Sequence, residues 1–297
     1  MTTRFYNNKV CWITGASSGI GESLALHLNK LGAYLILSCR NVQKLEKVKS
    51  CCAFPEKVVI LPCDMDQKNT LEEIALESWK VFKGIDYVFL NAGIAVRDTI
   101  INTSIEMTEK VMNINFFSNV IISRTLLPFM IRQGAGCFIV TSSLSGKYGV
   151  PKLSAYAASK HALNGFFESL RAEHEKDGIK ITIVTAGLVK TNISLNALSG
   201  NGSSYGRMQQ SIENGITPDH CADEIIKAVV RGKNETLVGG LEKYSVWVNR
   251  LFPVFLAFVI RNHPLKKLRK FGLNKKRKGI LRHMNEADGF RLINWIL

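Results

Sequence analysis

Apolar residues in this chain follow two rhythms. Short, nearly continuous runs at residues 10–14, 34–38, 58–62, 87–91, 137–141, 181–185 and 236–238 predict seven buried strands. Between them the apolar positions follow helical spacing, as in Leu24, Leu26, Leu28 and Leu31. Strand and helix alternate throughout, which predicts an α/β protein with a doubly wound parallel sheet. Thr217-Pro218-Asp219 reads as a helix start, with Thr217 as N-cap and Pro218 in the first turn. No internal repeat is visible, so residues 1–241 read as one domain and 242–297 as a C-terminal extension.

Candidate chemistry lies at two places. The first predicted strand, Val10-Cys11-Trp12-Ile13, runs directly into Thr14-Gly15-Ala16-Ser17-Ser18-Gly19-Ile20-Gly21 and then into a helix pattern. Glycines let the backbone approach a pyrophosphate closely, and the positive end of the following helix stabilises its charge, so this order predicts a nucleotide site. Further on, Tyr156 and Lys160 are four residues apart and stack on one helix face. A free phenol titrates near about 10, and a neighbouring ammonium stabilises the phenolate, which suits an acid/base catalyst. The same pair also occurs in ordinary amphipathic helices, so its meaning comes from its company.

With the glycine loop, Asn91-Ala92-Gly93, Asn115, Ser143, Tyr156 and Lys160 in this order, the chain resembles the short-chain dehydrogenase/reductases over about residues 8–240. Ser143 lies thirteen residues before Tyr156, at the family spacing. Ser159-Lys160-His161-Ala162-Leu163 and the long extension look most like the dehydrogenase/reductase member 7 group and its 11β-hydroxysteroid dehydrogenase relatives. The resemblance implies a Rossmann fold and a catalytic set of Asn115, Ser143, Tyr156 and Lys160. In that set Ser143 polarises a substrate carbonyl and Tyr156 donates the proton as hydride arrives from a nicotinamide. Lys160 holds the nicotinamide ribose and lowers the Tyr156 pKa. Asn115 interrupts its helix and holds a water, with a buried structural amide as the alternative.

The same resemblance implies cofactor contacts from Thr14, Gly15, Ser17, Ser18, Gly19, Ile20 and Gly21 in the loop. Asp64 with Met65 follows the third strand as an adenine contact, and Asn91, Ala92 and Gly93 lie beside the cofactor. Gly187, Val189 and Thr191 follow the sixth strand, with Thr191 on the carboxamide. Here Ala186 replaces the family's proline, which leaves the turn less rigid. For the substrate, Ser143 and Tyr156 are joined by Leu195 and Tyr205 from residues 195–215, which resemble a mobile lid; a plain surface linker is the alternative.

Cofactor choice turns on the end of the second strand. An acidic residue there would bind the ribose 2′-hydroxyl of NAD, whereas arginine accommodates the 2′-phosphate of NADP. Cys39 and Arg40 occupy the place, so NADP(H) is expected, although Ser18 stands where many NADP-binding relatives carry a basic residue. The histidines show no ligand spacing with Cys or carboxylates, so no metal is expected.

Composition adds the compartment and the partners. Seven cysteines without a CxxC pair read as thiols in a reducing compartment, and residues 1–8 are too short and polar for a secretory signal. Residues 251–260 form an apolar run between Arg250 and Arg261, too short for the roughly 20 residues of a membrane span. More than half of the formal net charge of +15 falls in residues 261–297. An apolar wedge followed by a polybasic segment reads as an in-plane membrane anchor facing anionic lipid. Packing on a second copy is the alternative, since the family implies a homo-oligomer; nucleic acid is not expected at Lys275-Lys276-Arg277-Lys278, which lack a base-stacking surface. The expected function is hydride transfer between NADP(H) and a lipophilic carbonyl or alcohol of the steroid, retinoid or fatty class. It would take place at the cytoplasmic side of a membrane, the endoplasmic reticulum in a eukaryote, with a soluble cytoplasmic enzyme as the alternative. A non-catalytic nucleotide-binding scaffold that interacts through its basic tail is the competing class.

Overall fold

The computed structural model describes residues 2–262; the Lys275–Lys278 cluster and the rest of the polybasic tail lie outside the described residues. Seven strands form one parallel sheet: β1 (Val10–Thr14), β2 (Tyr34–Ser38), β3 (Val58–Ile60), β4 (Tyr87–Leu90), β5 (Gly136–Ser143), β6 (Ile179–Ala186) and β7 (Glu235–Val238). Their order is β3-β2-β1-β4-β5-β6-β7, so the chain winds outward from β1, returns, and continues from β4 on the other side. The crevice between the carboxyl ends of β1 and β4 is therefore the topological switch point, where open α/β sheets bind ligands.

Side-chain alternation sorts the strands into two cores. Cys11, Ile13, Leu35, Leu37, Phe89 and Val184 point to the face covered by the helices Gly19–Lys30 and Pro218–Val230. Trp12, Ile36, Val88, Leu90, Phe138 and Ile183 point to the face covered by Lys68–Val81, Ser118–Gln133 and Ser154–His174. A one-residue slip would exchange these sets, so the apolar pattern fixes the register. Burying both faces also explains why the strands read as continuous apolar runs. Between the strands Trp12 Nε1 donates to Ser38 Oγ at 2.8 Å, and that hydroxyl donates to the Leu61 carbonyl at 2.6 Å.

The helix Ile105–Met112 passes through a π-helical turn, Asn113–Phe117, into Ser118–Gln133. Among the described residues this 29-residue stretch, Ile105–Gln133, is long and apolar enough to cross a membrane. Its Ile122, Leu126 and Met130 are fully buried in the second core, which accounts for the apolar composition without a bilayer. The N-terminal segment, read as too short and polar for a secretory signal, forms a short helix, Thr2–Tyr6, whose Tyr6 is fully buried and packs at a tilt on Tyr87, with ring centres 5.2 Å apart. The seven cysteines are free thiols.

Residues 242–262 do not stand apart from the domain. The helices Ser245–Leu251 and Pro253–Arg261 return to the end of β5, where Leu256 is buried with Leu144 and Tyr148. Tyr148 Oη and Ser245 Oγ share a hydrogen bond of 2.6 Å, and Asn249 Nδ2 donates to the Lys147 carbonyl at 3.1 Å. The boundary expected at 241/242 thus falls inside a packed unit. Its outer face is apolar and open: Val254 is 83% exposed, Leu251 66%, Phe252 63% and Phe258 55%.

Candidate active site

The crevice at the switch point is held open by hydrogen bonds between β1 and β4. Thr14 Oγ1 donates to the Phe89 carbonyl at 3.2 Å and accepts from the backbone N–H groups of Asn91 and Ala92, both at 3.1 Å. Asn91 Nδ2 donates to the carbonyls of Thr14 and Gly15, at 3.3 and 3.4 Å, and its Oδ1 accepts from Thr141 Oγ1 at 3.3 Å. Thr14 and Asn91 therefore shape the loop. Gly15 and Gly19 adopt positive φ, +65° and +58°. A Cβ on Gly15 would stand 2.9 Å from Ala92 Cα, and one on Gly19 would stand 2.9 Å from Thr191 Cγ2. A side chain on Gly21 would strike the Gly15 carbonyl. The loop thus closes on itself, on Ala92 and on Thr191.

Above this cradle begins the helix Gly19–Lys30, and its N-cap, the exposed Ser18, makes no side-chain cap. The first-turn N–H groups face the loop without a protein acceptor from that side chain, as anion binding requires. The residues therefore fit a dinucleotide: Gly15, Ser17, Ser18, Gly19, Ile20 and Gly21 would line the pyrophosphate. Arg40 lies exposed two residues past β2 and, among the described residues, forms no ion pair. Cys39 Sγ accepts from Asn41 N at 3.2 Å, and Asn41 caps the next helix, so Cys39 serves the turn. Asp64 accepts from Asp66 N at 3.1 Å beside buried Met65. Val189 is buried, and Gly187 N donates to the Val238 carbonyl at 2.7 Å.

The catalytic candidates meet at the C-terminal edge of β5. Ser143 is the last residue of that strand and pairs across with Ala186, the last residue of β6. Tyr156 and Lys160 come from the helix Ser154–His174, which lies on the second face of the sheet. The neighbouring Ser143 hydroxyl lowers the Tyr156 pKa, yet burial raises it more, so the net shift is upward; Ser143 Oγ accepts from Ser145 N at 3.1 Å. Lys160 Nζ donates to the Thr141 carbonyl at 2.6 Å and stands 5.7 Å from the centre of the Tyr156 ring. The lowering of the Tyr156 pKa expected from Lys160 is not what this geometry gives: Ser143 lowers it, and burial dominates. Burial also brings Lys160 down from 10.5 to about 8.

Asn115 lies in the π-helical turn, so its helix is interrupted as expected. Its Oδ1 accepts from Ile94 N at 2.8 Å, while Nδ2 donates to the Ile94 carbonyl at 2.9 Å and to Ser159 Oγ at 3.0 Å. The side chain is thus a fully engaged buried amide that ties the segment after β4 to the catalytic helix. A Cβ on Gly93 would lie 3.2 Å from Asn115 Oδ1 and 3.7 Å from Lys160 Nζ, which places Gly93 against both. Thr141 and Ser159 were not legible as site residues, because Thr141 belongs to no motif and the motif that holds Ser159 gives it no role; their position beside Ser143 and Lys160 was the available signal.

The segment read as a lid is stitched down. Leu198 N donates to the Ala95 carbonyl at 3.0 Å, and Ser104 N donates to the Gly200 carbonyl at 3.0 Å. Leu195 is 36% exposed, and the Arg97 pKa is lowered chiefly by burial and raised in part by the neighbouring Tyr205. Among the described residues no hydrogen bond joins Leu195 or Tyr205 to Ser143, Tyr156 or Lys160.

Comparison with known proteins agrees with this geometry. The short chain dehydrogenase family model matches residues 9–201. A "Dehydrogenase/reductase SDR family protein 7-like" of Drosophila melanogaster is 36% identical over 266 residues, covering 87% of this chain and 81% of its own. "Dehydrogenase/reductase SDR family member 7B" of Mus musculus is 34% identical over 272 residues, covering 90% and 84%. A short-chain dehydrogenase structure from Streptomyces avermitilis superposes with a TM-score of 0.73 at 24% identity, covering 87% of this chain and 98% of its own. An alcohol dehydrogenase from Thermococcus sibiricus, complexed with 5-hydroxy-NADP, gives a TM-score of 0.67 at 24% identity, covering 78% and 97%. A Burkholderia phymatum relative in complex with NAD gives 0.69 at 20% identity, covering 89% and 96%. The chain belongs to the short-chain dehydrogenase/reductase family of oxidoreductases, which work with nicotinamide cofactors.

Lys160 sets a pH dependence. Its folded pKa of about 8 lies below the unfolded 10.5, so between these values the unfolded chain binds more protons. Stability from this group therefore rises with pH through that window and is lowest below it. Urea unfolding across pH 7–10 should show wild type gaining on Lys160→Met above about pH 8; parallel curves would place the Lys160 charge elsewhere.

Proposed function

We propose that this protein is an NADP(H)-dependent oxidoreductase that interconverts a lipophilic carbonyl and its alcohol, of the steroid, retinoid or fatty class, while resting on a membrane surface. The observation that carries the reading is the convergence of Ser143, Tyr156 and Lys160 beside a glycine cradle suited to a dinucleotide. A bound nicotinamide dinucleotide supplies or accepts the hydride. The chain's residues supply orientation and the proton. The Tyr156 phenol, its pKa raised by burial, is protonated at neutral pH and ready to donate to a carbonyl oxygen as charge develops on it. The Ser143 hydroxyl, at the end of β5 beside that phenol, would stabilise the same oxygen. Lys160 Nζ lies next to Gly93, where its ammonium would meet the nicotinamide ribose. The relatives named dehydrogenase/reductase support an enzyme rather than a scaffold.

Tyr156→Phe keeps the ring and removes the proton donor. It should bind NADPH with near wild-type affinity and lose about two to four orders of magnitude in kcat against a carbonyl panel followed by NADPH oxidation. Retained turnover would sink the mechanism.

Preference for NADP(H) is supported by exposed Arg40 without an ion-pair partner among the described residues, and by a cysteine where an acidic residue would select NAD. Arg40→Ala should weaken NADPH about tenfold or more and leave NADH little changed, because a charge-assisted contact to the 2′-phosphate is worth roughly 1.5–3 kcal/mol. Equal losses for both dinucleotides in a titration would assign Arg40 another role.

Membrane contact is supported by the outer face of the helix Pro253–Arg261, where Val254 and Phe258 are 83% and 55% exposed, and by the basic sequence that follows. Full-length protein should co-sediment with anionic liposomes and be released by salt. A Val254→Glu/Phe258→Glu variant should remain in the supernatant with NADPH binding intact. If wild type stays in the supernatant, or sediments on ultracentrifugation as a dimer that this variant dissociates, the face is an oligomer contact instead.

A further inference from the structure

β6 ends at Ala186, where the family turn is stiffened by proline, and the following turn carries Gly187, Val189 and Thr191. Another group holds it. Glu242, in the short 3₁₀ helix Leu241–Tyr244 after β7, is only 8% exposed. Its Oε1 accepts from Leu188 N at 2.8 Å and from Gly240 N at 3.0 Å. Three glycines are shaped around this carboxylate: a Cβ on Gly187, Gly239 or Gly240 would stand 2.5, 2.7 or 2.6 Å from its oxygens. A side chain at any of those positions would push the carboxylate out of place. The Glu242 carbonyl accepts from Ser245 Oγ at 2.6 Å, and Ser245 Oγ meets Tyr148 Oη at 2.6 Å. Tyr148 packs with Leu144, the residue after Ser143, and with Leu256 of the last helix. One residue is therefore tied to the turn after β6 by its side chain and to the segment after Ser143 by its backbone.

We infer that Glu242 is a positioning residue for the nicotinamide half of the site, fixing the 187–191 turn in place of the missing proline and coupling it to the C-terminal helices. This rests on the reading that the turn cradles the nicotinamide. A truncation after Leu241, which the order of the motifs alone would leave able to bind the dinucleotide, removes this clamp.

The test is calorimetric titration of the full chain with NADPH and with 2′-phospho-ADP-ribose, which lacks only the nicotinamide; NADH and ADP-ribose take their place if wild type prefers NADH. Glu242→Ala should weaken the dinucleotide at least about tenfold, the effect of leaving two part-buried N–H groups without their acceptor and the turn without its clamp, while the fragment changes less than about twofold. Glu242→Gln keeps an acceptor oxygen and should restore dinucleotide binding to within about threefold of wild type. Should the alanine variant not fold, Glu242→Asp, which retracts the acceptor by one methylene, is read in the same way. Equal weakening of dinucleotide and fragment, or no weakening of either, overturns the inference. A wild-type chain that binds neither dinucleotide overturns the oxidoreductase reading and this inference with it.

Discussion

An ammonium held in the interior of the sheet packing is the constraint around which the rest of the site is arranged. Lys160 is 3% exposed, and an unpaired buried cation costs several kcal/mol unless hydrogen bonds replace its water. The Thr141 carbonyl at 2.6 Å supplies one. That carbonyl lies near the C-terminal end of β5, where two further residues of strand lead to Ser143, so the strand that steadies the cation also delivers the hydroxyl. The catalytic helix must then sit at one fixed depth against the sheet. Ser159 and Asn115 set that depth from the other side: Ser159 Oγ donates to the Tyr156 carbonyl at 2.7 Å and accepts from Asn115 Nδ2. For Asn115 to reach both Ser159 and the backbone of Ile94, its own helix widens into a π turn. A local departure from regular helix is thus the structural consequence of placing a charge in the core.

Much of this was legible in the sequence, because a sheet buried on both faces writes its strands as apolar runs. Residues 10–14 and 34–38 match β1 and β2 at both ends, and Thr217 caps its helix by accepting from His220 N at 3.2 Å. β5 and β6 extend beyond their apolar runs, over Gly136–Ser143 and Ile179–Ala186, since ladder pairing continues through Ser142, Ser143 and Ala186 where hydrophobicity gives no signal. Residues with a geometric requirement, the glycines at positive φ and the Tyr156/Lys160 pair, announced themselves by type and spacing. Thr141, Ser159 and Glu242 did not, because each acts through contacts that only the folded chain brings together. The direction of the Tyr156 shift was hidden for the same reason: spacing shows a neighbour, and burial depends on everything packed around it.

The C-terminal segment shows how an apparent appendage becomes part of a site. Read as a linear pattern, residues 251–260 are a uniformly apolar run, which says that the segment leaves water but not what it meets. Folded, the run divides. Leu256 and Val259 turn inward, Leu256 to Leu144 and Tyr148, while Phe252, Val254, Phe255 and Phe258 turn outward. The inner face explains why the helix lies against the end of β5; the outer face is apolar area that the described residues leave exposed. Because Tyr148 touches the inner face and also meets Ser245, whatever covers the outer face presses on an element joined through Glu242 to the turn after β6. Close-packed interiors transmit such displacements rather than absorbing them. The exposed apolar face and the turn after β6 are therefore ends of one packed unit.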